Sequence, residues 1–151
     1  MSYSTVKDIL TYSRQLHQHA RNLFEQLRDQ TQKERVDMMC HLLAEHENTL
    51  AESVTRIEEN LQQKVLDEWH QFEPGSISEA LAECVKIHPD ISVDELVAMA
   101  LRIDDYLIDL YSQMLSESTS DGSRLLFSSM GELEKSEKMR TVRAALSADD
   151  W

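Results

Sequence analysis

The chain has 151 residues, enough for one domain with a real core, and its 28 acidic against 15 basic residues leave a net charge of −13. Such a charge repels nucleic acid and anionic membrane surfaces, so neither is expected as a partner. No apolar run approaches the roughly 20 residues of a membrane span, and MSYSTVKDIL lacks the basic and apolar regions of a signal peptide, so a cytoplasmic protein is expected.

Three glycines, two prolines and abundant Leu, Glu, Ala, Gln and Met make a helical composition, with no run of alternating β-branched residues to compete. Cys40 and Cys84 form no C-x-x-C unit, which excludes a rubredoxin-type or zinc-ribbon site. Cys40 reads as a small buried hydrophobe, and a cytoplasmic setting disfavours a disulfide between the two.

A first helix is predicted over about residues 5–29, opened by the capping box Thr5/Asp8. Its apolar stripe includes Val6, Ile9, Leu16, Phe24 and Leu27 and turns His17 inward. A second box, Thr31/Glu34, opens a helix that no Gly or Pro interrupts before Trp69, giving about 39 residues, or roughly 58 Å. The polar stretch after Ile57 predicts a bend or an overhang. Residues 70–91 form a crossover containing Pro74, Gly75 and Pro89, with a short helix over about 77–86 behind Ser76/Glu79. Ser92/Glu95 caps a third helix over about 92–117, and a fourth runs over about 123–146, with a frayed end beyond it.

The organising stretch is CHLLAEHENTLAESVTRI, residues 40–57. Val36, Cys40, Leu43, Leu50, Val54 and Ile57 make an apolar stripe, and Glu47 sits in the middle of it. An isolated buried carboxylate is costly, so a proton, a cation or a metal is expected beside it. The other helices repeat the arrangement with His17, Asp104, and Glu134 followed by Glu137. In each half the first two inward ionisable residues lie 30 positions apart, His17 to Glu47 and Asp104 to Glu134. A shift of 87 superimposes Thr5/Asp8 on Ser92/Glu95, Thr31/Glu34 on Ser118/Asp121, Phe24 on Tyr111 and Glu47 on Glu134. Two helical hairpins related by a pseudo-twofold and joined by a long crossover are implied.

Inward carboxylates at matching depth on two helix pairs resemble the ferritin-like di-iron carboxylate proteins, whose rule is a Glu from each of two helices and Glu-x-x-His from each of the other two. The segments ILTYSRQLHQHARNLFEQL, MMCHLLAEHENTLAES, ALRIDDYLIDLYSQML and LLFSSMGELEKSEKMR look like the four helices of the rubrerythrin-like branch. The resemblance implies an all-α, ferritin-like four-helix bundle as a single domain over residues 1–151. It also implies a metal site formed by His17, Glu47, Asp104, Glu134 and Glu137. The departures are that His17 replaces a Glu, Leu50 and Glu137 replace the two His, and Asp104 shortens a Glu. Leu50 cannot ligate, so an unaltered di-iron site is not available. What remains would suit iron or manganese as one ion or an asymmetric pair.

Without metal, His17 beside Glu47 or Glu134 would make a satisfied core pair. His41 and His46 read as surface or rim residues. Gly131, with Ala44 as its counterpart, leaves space beside the site or allows close helix packing. Tyr106 and Tyr111 near Asp104 are redox candidates or packed hydroxyls. Two functions follow: a rubrerythrin-like metal protein, redox or peroxide-linked, or a non-catalytic bundle without metal that acts through a protein partner or as a homodimer.

Overall fold

The computed structural model describes residues 2–148 and 151. Among them are six helices and two three-residue strands, so the chain is mostly helical, as its composition predicts. In order these are β1 (Tyr3–Thr5), α1 (Val6–Gln30), α2 (Glu34–Asn60), α3 (Gln63–Leu66), β2 (Trp69–Gln71), α4 (Ile77–Cys84), α5 (Val93–Glu117) and α6 (Asp121–Ser147). The four long helices pack as two pairs, α1 along α2 and α5 along α6, and α2 meets both α5 and α6. One continuous apolar core joins the pairs, with Tyr111, Phe24 and Phe127 its largest fully buried side chains.

Caps set several of these ends. Thr5 and Ser92 form capping boxes with Asp8 and Glu95, and Ser76 caps α4. Thr31 does not open α2 as the sequence predicts, and Ser118, its counterpart under the shift of 87, does not open α6. They terminate α1 and α5, and the two hairpins turn through connections of equal length at residues 31–33 and 118–120. The shift by 87 therefore relates residues of like position, but their role is to close the first helix of each pair. Lys33 starts α2 with no side-chain cap, and Ser120 starts α6 by accepting a hydrogen bond from the Ser123 amide at 3.0 Å.

The predicted second helix of about 39 residues is corrected: α2 stops at Asn60, and Leu61 is extended, with φ −83° and ψ 145°. Beyond Ile57 the chain offers no apolar stripe to bury, and helix propensity alone does not hold a solvated segment. The chain turns instead to bury Val65 and Leu66 through α3. A short ribbon was also not foreseen. β2 runs antiparallel to β1, with Ser4 opposite His70, and both are buried. His70 Nε2 lies 3.0 Å from Ser123 Oγ and its ring meets Phe127 edge-on, so the ribbon ties the N-terminus and the end of α3 to α6. Three residues per strand carry too little periodicity to be read against a helical background. The fraying predicted past the fourth helix is also corrected at Ala148, which is buried and accepts a hydrogen bond from Arg35; positions 149 and 150 lie outside the described residues.

Gly122 shows how tightly α3 meets α6. A Cβ there would stand 2.7 Å from Val65 Cγ2, closer than carbon atoms approach. Gly122→Ala is therefore expected to destabilise the fold by about 1–3 kcal/mol despite alanine's better helix propensity. In a Val65→Ala background the same change should become neutral or stabilising. Thermal unfolding of the two single variants and the double variant measures this coupling.

Candidate functional site

Helical spacing brings the five inward ionisable residues to one level of the core. His17 comes from α1, Glu47 from α2, Asp104 from α5, and Glu134 and Glu137 from α6. All five are at least 94% buried, His17 completely. His17 stands at the centre: its Nδ1 lies 2.6 Å from Glu47 Oε2 and its Nε2 2.6 Å from Glu134 Oε1. The imidazole thus links the α1–α2 pair to the α5–α6 pair. Glu137 Oε1 accepts from Arg140 Nη1 at 3.1 Å, whereas Glu134 Oε2 and Glu137 Oε2 are buried with no hydrogen-bond partner among the described residues.

A neutral imidazole donates from only one nitrogen. Two flanking carboxylates are both satisfied only by an imidazolium, with N–H groups on both sides. Burial opposes that charge, but Glu134 and Glu47 outweigh it and hold the His17 pKa well above its ordinary value. Burial also raises the Glu47 pKa, against the pull of the His17 cation. The two shifts compete for one proton, and an imidazolium is the state in which both short contacts become charge-assisted hydrogen bonds to carboxylates. Asp104 is pushed up to about 9, first by burial and then by the charges of Glu47 and Glu134. At neutral pH it is a carboxylic acid.

A second polar layer flanks this cluster. Tyr111 hydrogen-bonds Ser13 within the core, and Tyr12 and Tyr106 pair through their hydroxyls at 2.6 Å. Burial raises the pKa of both Tyr12 and Tyr111, which keeps the two phenols neutral. Sequence reading singled out Tyr106 and Tyr111 but missed their partners Tyr12 and Ser13. It also missed Arg140, although a cation three residues after Glu137 on a helix is a detectable signal. His46 lies at the rim as expected: half-buried, with Nδ1 3.4 Å from Thr141 Oγ1. His41 is exposed and pairs with Glu45 at 3.1 Å. A Cβ at Gly131 would meet open space, so close helix packing does not explain that glycine. Cys40 and Cys84 are buried free thiols.

As placed, the side chains do not fit a dinuclear metal pair. The one imidazole has both nitrogens engaged by carboxylates, and Leu50 supplies no donor. Among the described residues, no group of three or more His, Cys, Asp or Glu side chains is arranged to hold a metal ion. No helix among them is long and apolar enough to cross a membrane. No protein-family model, no curated protein and no solved structure matches the chain.

Proposed function

We propose that this chain is a ferritin-like four-helix bundle, resembling the rubrerythrin-like branch, in which a salt-linked core stands where that family holds metal. In this reading it is a non-catalytic protein that acts through a protein partner. The observation that carries it is the engagement of both His17 nitrogens by carboxylates from opposite helix pairs. A buried charge with two partners of defined direction is satisfied in one arrangement of the pairs and left exposed to a large desolvation cost in others. The core would then fix how the pairs meet and leave the outer helix faces for binding.

A second reading, an iron or manganese protein with redox or peroxide-linked activity, is favoured by a different observation. Glu134 Oε2 and Glu137 Oε2 are buried acceptors with no donor among the described residues, on one face of α6. An oxygen-bound cation would satisfy both, at the cost of displacing the His17 proton.

The two readings separate in a binding experiment. Chelator-treated protein, native and Leu50→His, is loaded anaerobically with Fe(II) or Mn(II), gel-filtered and assayed for metal per chain. The salt-linked core predicts that neither protein retains metal, because the imidazolium occupies the site. One metal per native chain, lost in Glu134→Gln, would overturn it. Retention by Leu50→His alone would mean that the remaining ligands were already in position, and would favour the metal reading.

A further inference from the structure

The two long seams between the helix pairs are treated unequally. The crossover helix α4 packs on both α1 and α5. On the α2–α6 side no helix among the described residues packs across both, and α3 touches only one end, where Val65 meets Gly122. Two hollows open along this seam. The one beside α3, about 830 Å³, is apolar, walled by Ile57, Leu61, Leu126 and Leu133, with Leu125 71% exposed at its edge. The other, about 470 Å³, carries His46, Thr49, Arg140 and Arg143.

The charge of these linings runs against that of the molecule. Across both hollows the charged residues are Arg56, Arg140 and Arg143 against Glu45 alone, a local excess of two positive charges in a chain of net −13. Glu45 is turned to His41, and among the described residues only Arg140 of the three arginines has a carboxylate partner, Glu137. Arg56 bonds the Ser53 hydroxyl, and the Arg143 guanidinium has no partner among the described residues. From Gly122 to Ala144 the seam follows α6 for about 33 Å, the length of a helix of roughly 22 residues.

We propose that the α2–α6 seam is a docking groove for an acidic amphipathic helix of a partner protein. Apolar side chains of that helix would fill the hollow between Ile57 and Leu133, and its carboxylates would pair with Arg143 and Arg56. The rest of the surface, rich in carboxylates, repels such a helix, so complementarity confines it to this seam. A second copy of the chain fits less well, because it would bring together two molecules that each carry a net charge of −13. The inference rests on the non-catalytic reading above and names its partner class.

The test uses a synthetic 22-residue helical peptide with a leucine stripe flanked by glutamates, and the same peptide with lysines in their place. Binding is read by fluorescence anisotropy, and backbone amide shifts of the full chain locate the contact. The acidic peptide is expected to shift amides over residues 53–61, 122–133 and 140–144, and the lysine peptide to bind about tenfold or more weakly. Leu125→Glu and Arg143→Glu, both at exposed positions, should each weaken the acidic peptide by a similar factor, and Arg143→Glu should narrow the preference for it. The proposal is overturned if no binding appears up to about 1 mM, if both peptides bind equally, or if the shifts fall elsewhere. It is also overturned if the chain sediments as a dimer that Leu125→Glu dissociates, since the groove is then covered by a second copy. Failure here leaves metal retention unchanged, and metal retention leaves peptide binding unchanged, so the two failures are distinguishable.

Discussion

His17→Ala is expected to lower the free energy of unfolding at pH 7 by about 3–5 kcal/mol, a large share of the 5–15 kcal/mol typical of a whole domain. The loss comes less from the two hydrogen bonds than from what remains. Glu47 and Glu134 would be buried together with no cation between them, beside Asp104 and Glu137. The melting temperature should fall by roughly 6–20 °C for a chain of this length. The deficit should shrink in acid, as the stranded carboxylates take up protons and their repulsion disappears. Replacing His17, Glu47 and Glu134 together by leucine or methionine should return stability to near the native value or above it, since an apolar core of similar volume carries no desolvation cost. Chemical denaturation of the single and triple variants at pH 7 and pH 4.5 checks all three statements. A single variant within about 1 kcal/mol of native at pH 7 would mean that His17 does not carry the charge of the cluster.

Stability is expected to fall steadily as pH rises from about 7 to 10. Asp104 has a folded-state pKa raised to about 9 against an ordinary value of 3.8, so between these values the folded state holds a proton that the unfolded state lacks. Its contribution is complete below about pH 4 and is lost as pH climbs through 9. One full proton of difference costs about 1.4 kcal/mol per pH unit. His17 acts in the same direction: its raised pKa gives stability that is complete below about 6.5 and disappears as pH passes its folded value. His46 and His70, whose pKa values burial lowers, give the opposite slope, but only below about pH 6.5. Between about pH 7 and 8 the cluster therefore sets the slope; nearer pH 9 and above, the buried thiols of Cys40 and Cys84, whose pKa values burial raises, add a loss of the same sign, which the comparison with Asp104→Asn cancels. Asp104→Asn keeps the shape of the protonated acid without its titration, and it should flatten the profile and exceed the native protein in stability at pH 9. Urea unfolding of both proteins from pH 5 to 10 measures this, and superimposable profiles would remove Asp104 from the account.

The inward residues were legible because helix periodicity is unforgiving at a buried position. His17, Glu47, Asp104, Glu134 and Glu137 interrupt apolar stripes that are otherwise continuous, and each is at least 94% buried. Their pairing was only half legible. Spacing along one helix shows that Glu134 and Glu137 share a face, but that His17 reaches both Glu47 and Glu134 depends on how the two helix pairs meet. The break after Asn60 marks another limit. No Gly or Pro announces it, and what ends α2 is the lack of a surface to pack against, together with the burial of Val65 and Leu66 beyond it. Thr31 was misjudged for a related reason. Threonine followed by Glu34 satisfies the capping pattern, yet Thr31 caps the C-terminal end of α1 as the first residue of the three-residue turn to α2. The asymmetry between the covered α1–α5 seam and the open α2–α6 seam left no mark in the sequence repeat, because it depends on where α4 comes to rest.

The protonation state of His17 is the point on which the salt-linked core depends, and nitrogen-15 NMR of the imidazole ring reads it directly. At pH 7 both ring nitrogens should carry protons, with each N–H resonance shifted by a short hydrogen bond to a carboxylate, and the imidazolium should persist to a pH well above 6.5. A neutral ring with one unprotonated nitrogen at pH 7 would contradict the salt-linked core and leave that nitrogen free to act as a ligand.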